Sequence, residues 1–254
     1  MARFKVGVQL WPQHASMAAL RETWKAIDAL GVDSLWVWDH FYPLFGEPEG
    51  AHFEGWTTLA AMAADSQHAM VGTMVTGNTY RNPDLLADMA RTVDHLTGGR
   101  TYLGIGAGWF EKDFDEYGYE FGTGPSRLRE LETSLQRIKA RLAKLNPPPV
   151  GPLPILVGGG GEKVTLRLVA QYADAWNSFG PPATYKAKNA ILDEWCAKVD
   201  RDPATIERTV NLNSTDELEL IDDFLDAGAT HLILGLGEPF DLEGVHRLVS
   251  AARG

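Results

Sequence analysis

An aspartate and a histidine stand side by side at the end of a predicted strand. Asp39 and His40 follow the apolar run 34–38. A carboxylate next to an imidazole can polarise a carbonyl group or move a proton. The structural alternative is that Asp39 caps a turn while His40 packs in the loop. Because functional residues concentrate on loops at strand ends, we consider the pair a candidate for acid–base chemistry.

Glycines cluster after two other predicted strands. Residues 104–108 read Gly-Ile-Gly-Ala-Gly, and Gly158–Gly161 are four consecutive glycines before a predicted helix. Backbone N–H groups exposed at such a turn, together with a helix N-terminus, can bind a phosphate. The alternative for 104–108 is close helix–strand packing, since it does not match the dinucleotide pattern Gly-x-Gly-x-x-Gly. Together the two segments suggest one phosphate-bearing cofactor across neighbouring strand ends.

Small polar and aromatic residues follow several other strands. Residues 76–81 could contact a flat polar ring, or form an ordinary turn before the helix start at Asn82-Pro83. Aromatic residues near the expected strand ends would form an apolar pocket, although each alone is more often core packing. These aromatic residues are Trp11, Phe41, Tyr42, Trp56, Trp109 and Trp176.

Composition and missing motifs exclude several classes of function. The formal net charge of -11 argues against binding to a nucleic-acid backbone. The sequence lacks His-x-His, His-Glu-x-x-His, Gly-x-Ser-x-Gly and Walker patterns, and Cys196 is the single cysteine, so we predict no metal. With neither a membrane-length apolar run nor a signal peptide, the sequence predicts a cytoplasmic protein without membrane partners.

Short apolar strands and longer helices must position these residues. The predicted strands are 6–11, 34–38, 70–76, 101–105, 155–157, 173–177, 209–212 and 231–234. Helical periodicity lies between them, most clearly in Leu128, Leu131, Leu135, Ile138 and Leu142. Eight strands, each followed by a helix, indicate one α/β domain over residues 1–254, a (β/α)8 TIM barrel. A doubly wound open sheet is the alternative, because sequence does not show closure.

A set of motifs in a fixed order resembles a known family. In order they are Trp36-Val37-Trp38-Asp39-His40, the segment 76–83, Gly98-Gly99-Arg100, Gly104–Trp109, Leu156–Glu162 and Ala173–Asn177. The chain resembles the luciferase-like monooxygenase superfamily, most of all the branch that uses coenzyme F420, a deazaflavin, in place of FMN. This resemblance implies a bacterial luciferase-like TIM barrel and an oxidoreductase that binds a flavin-shaped ring at the barrel mouth.

The resemblance also implies roles for individual residues. Asp39 would hydrogen-bond the ring, and His40 would donate a proton near the hydride-transfer centre. A non-proline cis peptide would lie at Met74-Val75 against the ring. The other implied cofactor-binding residues are Thr76, Asn78, Ala107, Gly108, Gly158, Gly159, Gly160 and Gly161. Trp11, Trp109 and Trp176 are the expected substrate pocket.

We therefore expect hydride transfer between C5 of the deazaflavin and a small organic substrate. One alternative is an FMN-dependent monooxygenase that works with a separate flavin reductase. A second is a barrel that binds a cofactor without catalysis. Relatives are often dimers, so a homodimer is compatible with the resemblance.

The sequence departs from its relatives in two respects. Some deazaflavin sugar-phosphate dehydrogenases carry a glutamate directly after the Gly-x-Gly motif, where this chain has Trp109, and the nearest acid is Glu111. A sugar phosphate is therefore not the expected substrate. The connections 145–151 and 211–215 are also short, which predicts a somewhat abridged barrel.

Overall fold

A closed barrel of eight parallel strands forms the centre of the molecule. The computed structural model describes residues 2–254. Each strand pairs with the next, and β1 pairs with β8, so the sheet has no edge. The strands are β1 Lys5–Leu10, β2 Ser34–Asp39, β3 Met70–Gly77, β4 Thr101–Gly106, β5 Ile155–Gly158, β6 Ala175–Ser178, β7 Glu207–Leu212 and β8 His231–Leu236.

Helices surround the barrel and connect its strands. They are α1 Met17–Ala29, α2 Gly55–Asp65, α3 Pro83–Thr97, α4 Glu111–Tyr117, α5 Gly124–Leu142, α6 Thr165–Tyr172, α7 Pro182–Lys198, α8 Ile221–Asp226 and α9 Glu243–Arg253. Short 3-10 turns occupy Asn78–Tyr80, Pro203–Thr205 and Thr215–Leu220. The predicted (β/α)8 barrel is confirmed, and the open-sheet alternative is wrong because β1 and β8 are hydrogen-bonded.

Two regions differ from the prediction. Two helices rather than one follow β4, because α4 precedes the strongly periodic α5. The helix expected after β7 begins as a 3-10 turn and becomes α-helical only at Ile221. In addition, each of the eight predicted strands differs from its observed bounds by one or two residues at one end or both, an ordinary error for element ends.

Local sequence signals set the helix ends. Asn82 caps α3 and accepts from the backbone N–H groups of Asp84 and Leu85, with Pro83 in the first turn. Gly98 ends the same helix with φ of 68°, in the left-handed conformation that glycine adopts at low cost. Helix α1 buries Leu20, Trp24 and Ile27 against the sheet.

The barrel has two apolar layers. A small cluster fills its interior, and a larger one lies between the strands and the surrounding helices. The interior cluster consists of Trp36, Met74, Tyr102, Leu156, Ala175 and Ile233. A filled interior means that ligands cannot pass through the barrel and must bind at its rim.

Strand β3 carries an irregularity beside the rim. Its pairing with β4 shifts register between Gly72 and Thr76, and the Met74–Val75 peptide is cis, as the resemblance implied. A side chain at position 104 would collide with the carbonyl oxygen of Thr73, and one at 158 would lie 2.9 Å from Val75. The glycines of β4 and β5 thus make room for the irregular part of β3.

In the part of the chain from residue 2 onwards, no helix combines the length and apolar character needed to cross a membrane. Over the same residues, no group of three or more His, Cys, Asp or Glu side chains is arranged to hold a metal ion.

Candidate functional site

A cavity of about 620 Å³ opens at the carboxyl-terminal ends of the strands. This is the face where ligands bind in (β/α)8 barrels, and the volume lies in the usual range for small-molecule sites. Its lining is mainly apolar side chains and glycine backbone. The lining residues are Gln9, Trp11, Trp38, His40, Leu44, Phe45, Met74, Val75, Thr76, Gly77, Tyr80, Gly106, Ala107, Gly108, Trp109, Gly158, Gly159, Thr165, Asn177, Phe179, Asn211 and Asn213.

His40 lines the cavity, and its imidazole is hydrogen-bonded to a buried carboxylate. It lies directly after β2, and its Nδ1 atom is 2.7 Å from Oδ2 of Asp113 on α4. A carboxylate can only accept, so Nδ1 is the donor and the neutral ring keeps its lone pair on Nε2. Nε2 has no hydrogen-bond partner in residues 2–254. It is the atom of His40 left to exchange a proton with a ligand.

Asp113 is fully buried and receives four hydrogen bonds. Oδ2 accepts from His40 and from the Tyr80 hydroxyl at 2.9 Å. Oδ1 accepts from the backbone N–H groups of Phe41 at 3.1 Å and Tyr42 at 3.2 Å. Four donors compensate the cost of burying a carboxylate. The imidazole is therefore fixed by a rigid partner.

Tyr80 is a second polar group at the rim. Burial raises the pKa of its phenol, and the Asp113 carboxylate raises it further. The phenol therefore stays protonated and donates to Asp113 throughout the physiological pH range.

The structure places Asp39 behind this site. Its carboxylate is fully buried and accepts two hydrogen bonds from Arg81, at 2.5 Å and 3.0 Å, and Arg81 also contacts Glu54 at 2.5 Å. Burial lowers the pKa of the Arg81 guanidinium, but the two carboxylates outweigh this effect and the net pKa is raised. Asp39 does not line the cavity. This differs from the expectation that it hydrogen-bonds a ring, because the carboxylate is fully buried away from the cavity, where it pairs with Arg81.

An aromatic stack forms the wall of the cavity on the side of β1 and β2. The rings of Trp11 and Trp38 are stacked with centroids 5.6 Å apart, and Phe45 packs on Trp11 at 5.2 Å. Trp38 also lies edge to edge with His52, with the two rings nearly coplanar, and donates its indole N–H to Nε2 of that ring at 2.9 Å. The stack links the loop after β2 to the end of β1.

His52 should make stability depend on pH. Burial first, and then the nearby His40, lower the pKa of His52 from 6.5 to about 4. Between these values the unfolded chain binds a proton that the folded chain does not, so stability is full above about pH 6.5 and falls as pH drops towards 4. The loss should reach about 3 kcal/mol, measured as urea unfolding free energy at several pH values.

The control for this effect is His52→Gln, which keeps an acceptor for the Trp38 indole and removes the titrating group. The pH slope between 4 and 6.5 should become shallower in this variant. An unchanged slope would assign the effect to other histidines.

Only some of the glycines that were predicted to bind the cofactor line the cavity. Gly108, Gly158 and Gly159 line the cavity, as does Ala107. Gly160 and Gly161 do not, and the carbonyl oxygen of Gly160 accepts from Nζ of Lys188 at 2.7 Å. The end of the four-glycine segment therefore lies against α7, outside the cavity.

Trp176 and Asn78 also lie outside the lining. Trp176 is fully buried, stacks on Tyr185 of α7 at 5.0 Å, and donates to the carbonyl oxygen of Gly159 at 2.8 Å. It supports the glycine segment from behind and is not a pocket wall, which corrects its predicted place. Asn78 is buried, and its Oδ1 has no partner in residues 2–254. The other predicted pocket residues, Trp11 and Trp109, line the cavity, as do Met74, Val75 and Thr76.

Sequence reasoning missed Asp113, Tyr80 and Trp38. Asp113 lies two residues after Glu111, the nearest acid considered, but Glu111 is exposed while Asp113 and Phe114 are buried. The sequence offers only Phe114 among the acidic residues of 111–117 as a sign that one face of this segment is buried. Nothing in the sequence connects Asp113 to His40, which is 73 positions away.

Comparison with known proteins finds related sequences and structures. A family model described as luciferase-like monooxygenase matches residues 1–214. The 4-hydroxyprotoasukamycin monooxygenase of Streptomyces nodosus subsp. asukaensis is 29% identical over 199 residues, which cover 68% of this chain and 50% of that protein. The chain thus spans about half the length of this curated relative.

Two F420-dependent proteins are also similar. The F420-dependent glucose-6-phosphate dehydrogenase of Amycolatopsis mediterranei is 26% identical over 236 residues, covering 85% of this chain and 68% of that protein. A solved structure of an F420-dependent secondary alcohol dehydrogenase in complex with an F420–acetone adduct superimposes with a TM-score of 0.86 at 16% identity, covering 98% of both chains. That likeness shows the same fold.

Proposed function

This chain belongs to the luciferase-like monooxygenase family, and from that premise we propose that it is an F420-dependent oxidoreductase. It would transfer a hydride between C5 of the deazaflavin and a small organic substrate. The observation that carries the proposal is His40 at the cavity, with Nδ1 held by Asp113 and Nε2 left for a ligand. The similarity to F420-dependent proteins supports the choice of cofactor.

The cavity fits a flat ring system with a polar tail. Its floor is the irregular part of β3, and the glycines of β4 and β5 make room there for Thr73 and Val75. Oδ1 of Asn211, a lining residue, is buried without a partner in residues 2–254, although such groups are normally hydrogen-bonded. The residues that would hold the cofactor are Met74, Val75, Thr76, Ala107, Gly108, Gly158 and Gly159.

The bound deazaflavin would supply or accept the hydride. His40 handles the accompanying proton, which Nε2 gives to a substrate oxygen during reduction and takes from it during oxidation. Asp113 keeps the ring in one tautomer and stabilises its protonated form. Asp39 acts through Arg81, since this pair fixes the end of β2 from which His40 projects.

An FMN-dependent monooxygenase is the second candidate, favoured by the similarity to a monooxygenase. It would require a separate reductase and would consume oxygen. A barrel that only binds its cofactor is the third candidate. It predicts tight cofactor binding without turnover of any substrate in a broad panel.

Fluorescence titration with oxidised F420 and with FMN, on one preparation, tests the assignment. We expect F420 to bind at least tenfold more tightly than FMN. The variant Ala107→Leu fills part of the cavity and should weaken F420 binding at least tenfold by steric exclusion. Ala183→Leu, at an exposed position on α7, is the matched control and should leave affinity unchanged.

Tighter binding of FMN would move the chain to the monooxygenase candidate. Equal F420 affinity in Ala107→Leu and the wild type would show that the cofactor does not occupy this cavity. In the last case the roles of the β4 and β5 glycines would be limited to packing.

A further inference from the structure

We propose that the substrate is an electrically neutral ketone, or the matching secondary alcohol, that carries an aromatic or similarly bulky hydrocarbon group. This inference rests on the proposed function for the reaction itself. The substrate class follows from the residues that line the cavity on the side of β1, β2 and β6. This is the part of the cavity that the proposed cofactor leaves free.

The cavity lining carries no full charge of its own. None of the lining side chains in the described residues 2–254 is a lysine, arginine, aspartate or glutamate. Asp39 and Glu54 both pair with Arg81 behind the wall, and Asp113 is covered by its four donors. A charged group on the substrate would therefore lose its hydration without gaining a partner, which is costly.

Three aromatic side chains at the mouth are unusually exposed. Phe45, Trp109 and Phe179 have exposed fractions of 54%, 65% and 64%, and all three line this cavity. Large apolar side chains grouped around one opening mark a place where an apolar ligand binds. Trp11 and Trp38 continue the aromatic surface inwards to His40, whose ring lies edge-on to Trp38 with centroids 6.2 Å apart.

The polar groups near this surface are neutral amides. Gln9, Asn177, Asn211 and Asn213 line the cavity from β1, β6 and the end of β7. Nδ2 of Asn211 donates to Oδ1 of Asn213 at 3.1 Å, whereas Oδ1 of Asn211 is buried and has no partner in residues 2–254. Amides suit a carbonyl or hydroxyl group and do not balance a carboxylate or phosphate.

The reaction balances with groups already named. In the reducing direction the carbonyl carbon gains the hydride and the carbonyl oxygen gains the proton from Nε2 of His40. The product is a secondary alcohol, the reduced F420 of the proposed function is the reductant, and water returns the proton to His40.

Calorimetric titration with two matched ketones tests the substrate class without using turnover. Acetophenone and 4-acetylbenzoate share a ring and a ketone and differ in one carboxylate. Each is titrated into the protein alone and into protein saturated with oxidised F420. We expect acetophenone to bind at least tenfold more tightly than 4-acetylbenzoate in both conditions. Equal or tighter binding of 4-acetylbenzoate, or no binding of acetophenone, would overturn the proposal.

A charge placed at the mouth should change this preference. In Phe179→Arg the guanidinium replaces an exposed apolar side chain, so 4-acetylbenzoate should gain at least tenfold in affinity while acetophenone weakens. Leu96→Arg places the same charge on an exposed position of α3 away from the cavity. The same gain in both variants would mean that general surface charge, rather than the cavity, sets the preference, and it would overturn the proposal.

Failure of this inference is distinguishable from failure of the proposed function. Acetophenone binding with no F420 binding would contradict the cofactor assignment and leave the substrate class standing. Tight F420 binding together with tighter binding of 4-acetylbenzoate than of acetophenone would support the cofactor assignment and contradict the substrate class.

Discussion

Replacing His40 with glutamine should lower kcat by about two to four orders of magnitude, the usual contribution of a general acid or base. Glutamine keeps a donor that can reach Asp113 but cannot exchange a proton with the substrate near neutral pH. The affinity for F420, measured by fluorescence titration, should stay within about threefold of the wild type, because the cofactor surface is formed by β3, β4 and β5. Steady-state turnover with the neutral ketone measures kcat.

The variant Asp113→Asn tests the carboxylate that holds His40. Asparagine keeps the shape and can still accept from the backbone N–H groups of Phe41 and Tyr42, but it no longer stabilises a protonated His40. We expect a smaller loss of kcat than in His40→Gln, with KM for the ketone changed much less than kcat. Unchanged kcat in Asp113→Asn would show that Asp113 serves only the fold, and unchanged kcat in His40→Gln would remove the histidine from the mechanism.

The largest stability effect should come from Gly104→Ala on β4. The added Cβ would collide with the carbonyl oxygen of Thr73, which is backbone and cannot turn aside. Relieving this clash requires β3 and β4 to separate where β3 is irregular, at a cost of about 3 kcal/mol or more. The melting temperature should fall by about 6–12 °C or the variant should fail to fold.

Gly124→Ala is the matched control for this substitution. Gly124 begins α5, and a Cβ there meets nothing within 4 Å. Thermal unfolding of this variant should match the wild type or improve slightly, since alanine favours a helix over glycine. A wild-type melting temperature in Gly104→Ala would show that the β3–β4 contact is not tight in solution.

Much of the fold follows from the sequence because its signals are local. The alternation of apolar runs with periodic helices gave the barrel, and the Asn82-Pro83 and Gly98 signals placed both ends of α3. Helix α4 was missed because it is only seven residues long and has few apolar positions. Closure of the barrel needed the pairing of β1 with β8, a contact that no local pattern encodes.

The site was predictable to a smaller extent because its chemistry depends on distant partners. The position of His40 after β2 indicated a role at the rim, and the structure places it there. The partners Asp113 of His40 and Arg81 of Asp39 lie 73 and 42 positions away. Proximity along the chain directed attention to Asp39 and Glu111 instead.

The glycine motifs show how one signal can have two physical causes. Four glycines in a row and Gly-Ile-Gly both suggested phosphate binding. In the structure, Gly104, Gly106 and Gly158 also provide space for Thr73 and Val75 of β3. Composition cannot separate a backbone that approaches a ligand from one that approaches another strand.

Asp113 binds the loop that follows His40 through backbone N–H groups, so the attachment does not depend on which side chains the loop carries. Phe41 and Tyr42 offer the carboxylate only their backbone N–H groups, so their side chains are not needed for the attachment. Leu44 and Phe45, a few residues further on, line the cavity. Evolution or laboratory selection can therefore exchange Leu44 and Phe45 and reshape the cavity wall while the backbone contacts to Asp113 remain intact.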